Sequence, residues 1–228
     1  MAFIFPTHIF NPRTIKPTRA RRIITGGQPI SGAAEDVIEI DGGGFWLWSF
    51  GEIHLRTTHL LRAWDAWDNY LAGGTVEFWL PVASIATAPL PTLIRTPGIA
   101  TDADIFPTAA AFAIPLVRAS VVGARTLRDT TITINVSQGR RLEGGEKFSI
   151  AHSDGPGLYS VTRVTAQSGQ VSTVKIWPPL RAAVANAETV NFDWPLMRAR
   201  LAPGYDMSPQ VMNGRHATAE VQFVESTN

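Results

Sequence analysis

The sharpest hydrophobic pattern in the chain is helical. Leu60, Trp64, Trp67 and Leu71 recur at steps of four, three and four, which stacks them on one face of a 3.6-residue helix. The spacing predicts an amphipathic helix over 58–72. Thr57 or Thr58 caps its start, and a left-handed residue at Gly73-Gly74 ends it. These four residues are its core anchors, so the helix should lie on a sheet with two tryptophans beneath it.

Elsewhere the pattern is that of strands. Val37, Ile38 and Ile40 lead into Gly42, Gly43 and Gly44 and then into Phe45, Trp46, Leu47 and Trp48. Two apolar, β-prone runs around a glycine cluster predict a hairpin. TVEFWLPV, from Thr75, reads as a strand entered almost directly from the helix. Five further runs, beginning at Ala113, Thr131, Glu146, Leu158 and Val171, alternate or are rich in β-formers. Turn signals stand at Gly144-Gly145, Gly155-Pro156-Gly157 and Ser168-Gly169. ETVNFDW, LMRARLA and HATAEVQFVE finish the chain in the same style. Regularly spaced short strands predict a mainly β fold, a sandwich or barrel, with one helix packed on a sheet. Two stretches stand apart. Residues 1–34, rich in Pro, Thr and Arg, read as an extended basic arm ahead of a β-rich domain over 35–228. Within that domain, 83–112 is a Pro-, Ala- and Thr-rich segment of the kind that forms a functional loop or an extended connection.

Composition narrows the function. With 45% apolar and 17% charged residues the chain belongs with folded proteins. It contains no cysteine, so disulfides, thiolate metal sites and thiol nucleophiles are excluded together. No apolar run approaches the roughly 20 residues that span a bilayer. The prolines of MAFIFPTHIFNP interrupt what a signal peptide would keep continuous. No membrane partner is expected, and the chain reads as one kept in the cytoplasm until it assembles. A net charge of +1 gives no general attraction to nucleic acid. The arm, however, carries Arg13, Lys16, Arg19, Arg21 and Arg22 with no acid, and only Lys16, Lys147 and Lys175 of the 20 basic residues are lysines. Arginine is enriched and lysine depleted at protein interfaces. Arg13, Arg19, Arg21 and Arg22 are therefore candidate interface residues, protein contact being favoured over contact with nucleic acid passing nearby.

Candidate chemistry is sparse. His54 and His59 lack the spacing of a helical zinc motif, and His8, His152 and His216 supply no third ligand. Asp102 and Asp104 lack the ligand ladder of a calcium loop. Gly42 to Gly44 are followed neither by Lys-Ser/Thr nor by a helix, as phosphate cradling needs. Asp65 and Asp68 fall on the exposed side of the helix, and no set of nucleophile, base and oxyanion donors assembles. No catalytic residue, metal or cofactor is expected. Of the seven tryptophans, Trp48, Trp64, Trp67 and Trp79 read as core, whereas Trp177 and Trp194, each followed by proline at a strand end, are the two expected at the surface.

The C-terminal half carries a likeness. GEKFSIA, GLYSV, TVKIWPPLR and NFDWPLMRARL follow one another as "G-D-x-F-x-I", "G-x-L-Y-x-V", "T-x-x-I-W-P-P-L-R" and a closing R-L strand do in phage tail proteins. The match is most specific at Ile176, Trp177, Pro178, Pro179, Leu180 and Arg181, with Leu158, Tyr159 and Val161. In the N-terminal half, R-A-W-x-A-W-x-x-Y-L-A-G-G is similar to the helix of the same proteins. Over residues 20–228 the chain resembles the distal tail proteins of long-tailed bacteriophages. TVEFWLPVAS is longer than the corresponding segment there, and 83–112 has no counterpart. The resemblance implies a non-enzymatic virion protein, commonly a hexameric ring, between the tail tube protein and the hub or tip protein. The tape measure protein is a further contact, and DNA is met only in passage. Trp177 and Arg181 join the arm arginines as candidate interface residues. A second reading is a carbohydrate- or receptor-binding module of the tail tip, and a third a hydrolase or lyase of unfamiliar type.

Overall fold

The computed structural model describes residues 3–21, 23–25, 37–39, 43–82, 117–212 and 216–227. In chain order the elements are α1 (Thr7–Phe10), β1 (Thr14–Ala20), β2 (Ile23–Thr25), β3 (Val37–Glu39), β4 (Phe45–Leu55), α2 (Thr58–Leu71) and β5 (Phe78–Pro81), then β6 (Arg118–Val121), β7 (Thr131–Gln138), β8 (Lys147–His152), β9 (Gly155–Ser168), β10 (Val171–Trp177) and β11 (Thr189–Asn191), and last β12 (Leu196–Leu201), β13 (Gln210–Met212) and β14 (His216–Glu225). The fold is mainly β, as the strand spacing predicts. The chain forms two compact units, residues 1–81 with 197–228, and residues 82–196. The expected division, an arm over 1–34 and one domain over 35–228, is not the one its contacts draw.

The first unit is an open sheet in the order β1-β4-β14-β12-β5, with β13 also beside β14. Helix α2 starts where Thr57 Oγ1 accepts the Leu60 N–H at 3.2 Å, and its left-handed cap is Ala72 rather than the glycines after it. Trp64 and Leu71 are fully buried and Leu60 and Trp67 half-buried. The tryptophan that reaches deepest also donates its indole N–H to Met207 O. On β4 the buried series Trp46, Trp48, Phe50 would fall out of phase beyond Phe50. A bulge resets it: Phe50 faces Val221 and Ile53 faces Ala219, so Gly51 and Glu52 together oppose Glu220. Glu52 takes a φ of 53°, and Ile53 and Leu55 continue the buried row.

The arm expectation fails at its start. Phe5 and Phe10 are 1% and 3% exposed, and the Phe5 ring lies 5.0–6.5 Å from those of Phe10, Phe50, Trp64, Trp67, Phe78 and Phe223. Residues 3–5 extend the sheet beyond β5, with Phe5 N–H donating to Trp79 O and Trp79 N–H to Phe3 O, both at 2.9 Å. Strand β1 pairs along β4 at the opposite edge. The hairpin expected around Gly42 to Gly44 is also redrawn. β3 pairs with β2 and β4 with β1, so among the described residues the two runs are not each other's partners. Gly44 sits at φ 73°, and a Cβ there would come within 2.1 Å of Ala20 O.

The second unit is a closed antiparallel barrel, β10-β7-β6-β11-β8-β9. Along β7 Ile132, Ile134 and Val136 point inward at alternate positions, and Val121, Ile150, Val161, Val174 and Val190 join them. Pairing of His152 with Gly155 leaves Ser153 and Asp154 as the β8–β9 turn, so Gly155-Pro156-Gly157 lies within β9 rather than forming the turn. Gly169, at φ 58°, serves the β9–β10 turn as its sequence signal implies. Residues 83–112, with Asp102 and Asp104, lie outside the described residues.

Candidate functional site

Tyr159 and Val161 of β9 meet the segment Ile176 to Arg181 in one corner of the barrel. Ile176 and Trp177 of β10 pair with Val161 and Ser160 of β9, after register shifts that bury two consecutive β10 residues. The chain then passes a cis Trp177–Pro178 bond to Leu180, which is 1% exposed and held by Leu180 N–H to Asp129 O and Arg128 N–H to Leu180 O, both at 2.9 Å. Arg181 donates its backbone N–H to Tyr159 Oη at 3.0 Å. Tyr159, fully buried, also lies 2.7 Å from His152 Nε2. Gly157 leaves room for this pair, since a Cβ there would stand 2.7 Å from Tyr159 Oη and 3.0 Å from the imidazole. Burial pushes the His152 pKa down, against the opposing pull of Glu188 and Asp154. The Tyr159 hydroxyl accepts the Arg181 N–H and shares a hydrogen bond with His152 Nε2. A buried tyrosine cannot reach a substrate, so the corner is a lock between β8, β9 and the turn after β10.

The interface candidates are scattered differently from the sequence expectation. Arg13, Arg19 and Arg21 are exposed, with the Arg19 guanidinium 5.6 Å from the centre of the Trp46 ring. Arg22 is outside the described residues, and Arg181 is half-buried. Trp177 is buried at 6% exposure, which corrects its surface assignment. Trp194, at 45%, is exposed as expected.

His54 lies on β4 and His59 in the first turn of α2. His54 borders a groove of about 480 Å³ with Glu52, Asp206 and Glu220. Among the described residues no three His, Asp or Glu side chains are placed to hold a metal ion. Asp65 is exposed and Asp68 half-buried.

Two carboxylates escaped the sequence reading. Glu77 accepts Arg198 Nε at 2.8 Å and Nη2 at 3.0 Å, and also the Ser226 hydroxyl. The bond from Arg198, with Ser226 assisting, holds its pKa below the ordinary carboxylate value despite burial. Glu225 is 5% exposed and accepts the Trp46 backbone N–H at 3.0 Å. Its place at the end of the apolar run Val221, Phe223, Val224 was the only local hint; nothing marks Glu77 and Arg198, 121 positions apart, as a pair. No protein-family model and no curated protein matches the chain.

Proposed function

We propose that this chain is a non-enzymatic structural protein of a long bacteriophage tail, assembled as a homo-oligomeric ring at the distal end between the tube and the hub or tip. The observation that supports this reading best is the Tyr159 to Arg181 bond. It joins the G-x-L-Y-x-V segment to the I-W-P-P-L-R segment, so the two stretches at which the resemblance is most specific share one folded corner. The corner is buried and holds the barrel together, which accounts for the motif without any catalytic role.

A ring closes when one heterologous contact is repeated by rotation, leaving no unsatisfied surface and a lumen along the axis. In the tail that lumen passes the tape measure and the DNA, and the ring carries mechanical load from tube to tip. The exposed arginines of β1 and its flanks, Arg13, Arg19 and Arg21, are the residues we assign to contacts with neighbouring subunits or the tube.

The test is the mass of the purified chain, alone and co-expressed with tail components, together with antibody labelling of intact particles in electron micrographs. The expected result is a ring-sized species and label at one end of each tail. A monomer that co-purifies with no tail component and labels no particle overturns the assignment.

A further inference from the structure

The outer face of the barrel carries a groove of about 530 Å³ across β7, β6 and β11. Its depth has a sequence cause. The residues above the strands are small, Ser120, Ser137 and Thr189, so little fills the space over them. Ser137 is the extra residue of a bulge between Gln138, opposite Arg118, and Val136, opposite Ala119, and it donates its hydroxyl to Arg118 O at 3.2 Å. Arg118 itself is exposed along the wall.

One turn ties both sides of this groove together. Asn191, a lining residue, donates its amide to Trp194 O at 2.8 Å and accepts Trp194 N–H at 3.0 Å. The Asp193 carboxylate between them accepts the N–H of Val117, on the other wall, at 3.2 and 3.3 Å. These bonds tie the Trp194 backbone to the lining residue Asn191, and Trp194 is 45% exposed. An exposed aromatic residue whose backbone is tied to the edge of a trough of hydroxyls and a guanidinium suits a ligand with one apolar C–H face and many hydroxyl groups.

We propose that this groove binds a saccharide. Trp194 stacks against a pyranose ring, Ser120 and Thr189 meet sugar hydroxyls, and Arg118 takes a carboxylate or phosphate substituent, which its planar fork grips with two bonds. The inference does not rest on ring assembly, because every residue it uses belongs to one barrel.

The full chain is tested on an immobilised array of bacterial surface glycans, neutral, uronate-bearing and phosphate-bearing, and oligosaccharides of the binding glycans are then titrated in solution. Trp194→Ala is expected to weaken binding by about tenfold, as loss of one stacking partner does. Arg118→Ala should weaken only the acidic glycans, which also separates them from neutral ones. Both side chains are exposed, so thermal unfolding should stay at the wild-type value. Absence of binding to every glycan, or binding that Trp194→Ala leaves unchanged, overturns the proposal, and neither outcome bears on the tail assignment.

Discussion

In the barrel each strand is paired on both sides by the next strand round, whereas the open sheet has two edges and draws on its own first 20 residues for both. Residues 3–5 lie along β5 and β1 lies along β4. The open edge of β1 carries Pro17 and basic side chains, features that discourage unwanted strand pairing. The interiors differ in the same sense. Six strands closed on themselves enclose a narrow space, and Val and Ile fill most of it. A helix laid over an open sheet leaves a wider layer, and Phe5, Phe10, Phe50, Trp64, Phe78 and Phe223 fill that with edge-to-face and tilted rings. Closure lets the barrel be built from one continuous stretch of chain, while the open sheet must gather segments from both ends.

The comparison breaks most readily at Phe5. Phe5→Ala and Trp64→Ala should each cost about 3–5 kcal/mol, the range for emptying a large aromatic site in a packed core. Trp67→Ala should cost less, because Trp67 is half-buried. Hydrogen exchange under mild denaturant is the measurement. Protection should fall in 3–81 and 197–227 and persist in 117–196; equal loss in the barrel would show that the two cores unfold as one.

A smaller effect sharpens the comparison from the barrel side. Tyr159→Phe keeps the ring and removes the oxygen that joins Arg181 N–H and His152. Leaving buried polar groups without that partner should cost about 1–3 kcal/mol. The loss should appear in barrel amides and spare the open sheet. If Tyr159→Phe unfolds like the wild type, the corner is not a lock.

The smallest effect is in acid, and it separates the units by pH. The folded-state pKa of His152 is lowered from 6.5, chiefly by burial. The fold therefore binds fewer protons there than the unfolded chain, and the barrel loses stability as pH drops below the imidazole range toward the lowered value. Glu77, lowered chiefly by Arg198, supports the open sheet above the ordinary carboxylate pKa and withdraws that support as pH falls through its lowered value. Its carboxylate side chain is 34% exposed, so the contribution is modest. Unfolding followed across pH should show the barrel weakening first. His152→Gln should flatten the earlier decline and Glu77→Gln the later one; a wild-type pH profile in either variant removes that residue from the account.

Local periodicity carried far in this protein. The four-three-four spacing determined α2 to within a residue at its end, Thr57 its cap, and the alternation of 131–136 and 171–177 two barrel strands, because each of these signals lies within one or two turns of backbone. Partner choice was not local. The same apolar runs at 37–40 and 45–48 fit a hairpin as well as they fit strands paired with 14–25, since backbone ladders accept any extended partner and only burial of the finished faces discriminates. Tertiary structure also decided which proline-flanked tryptophan is buried, Trp177, and which stays exposed, Trp194. It joined Glu77 to Arg198 and Tyr159 to Arg181 as well. A hydrogen bond requires groups within about 3 Å, and that proximity is set by the whole packed chain rather than by any window of it.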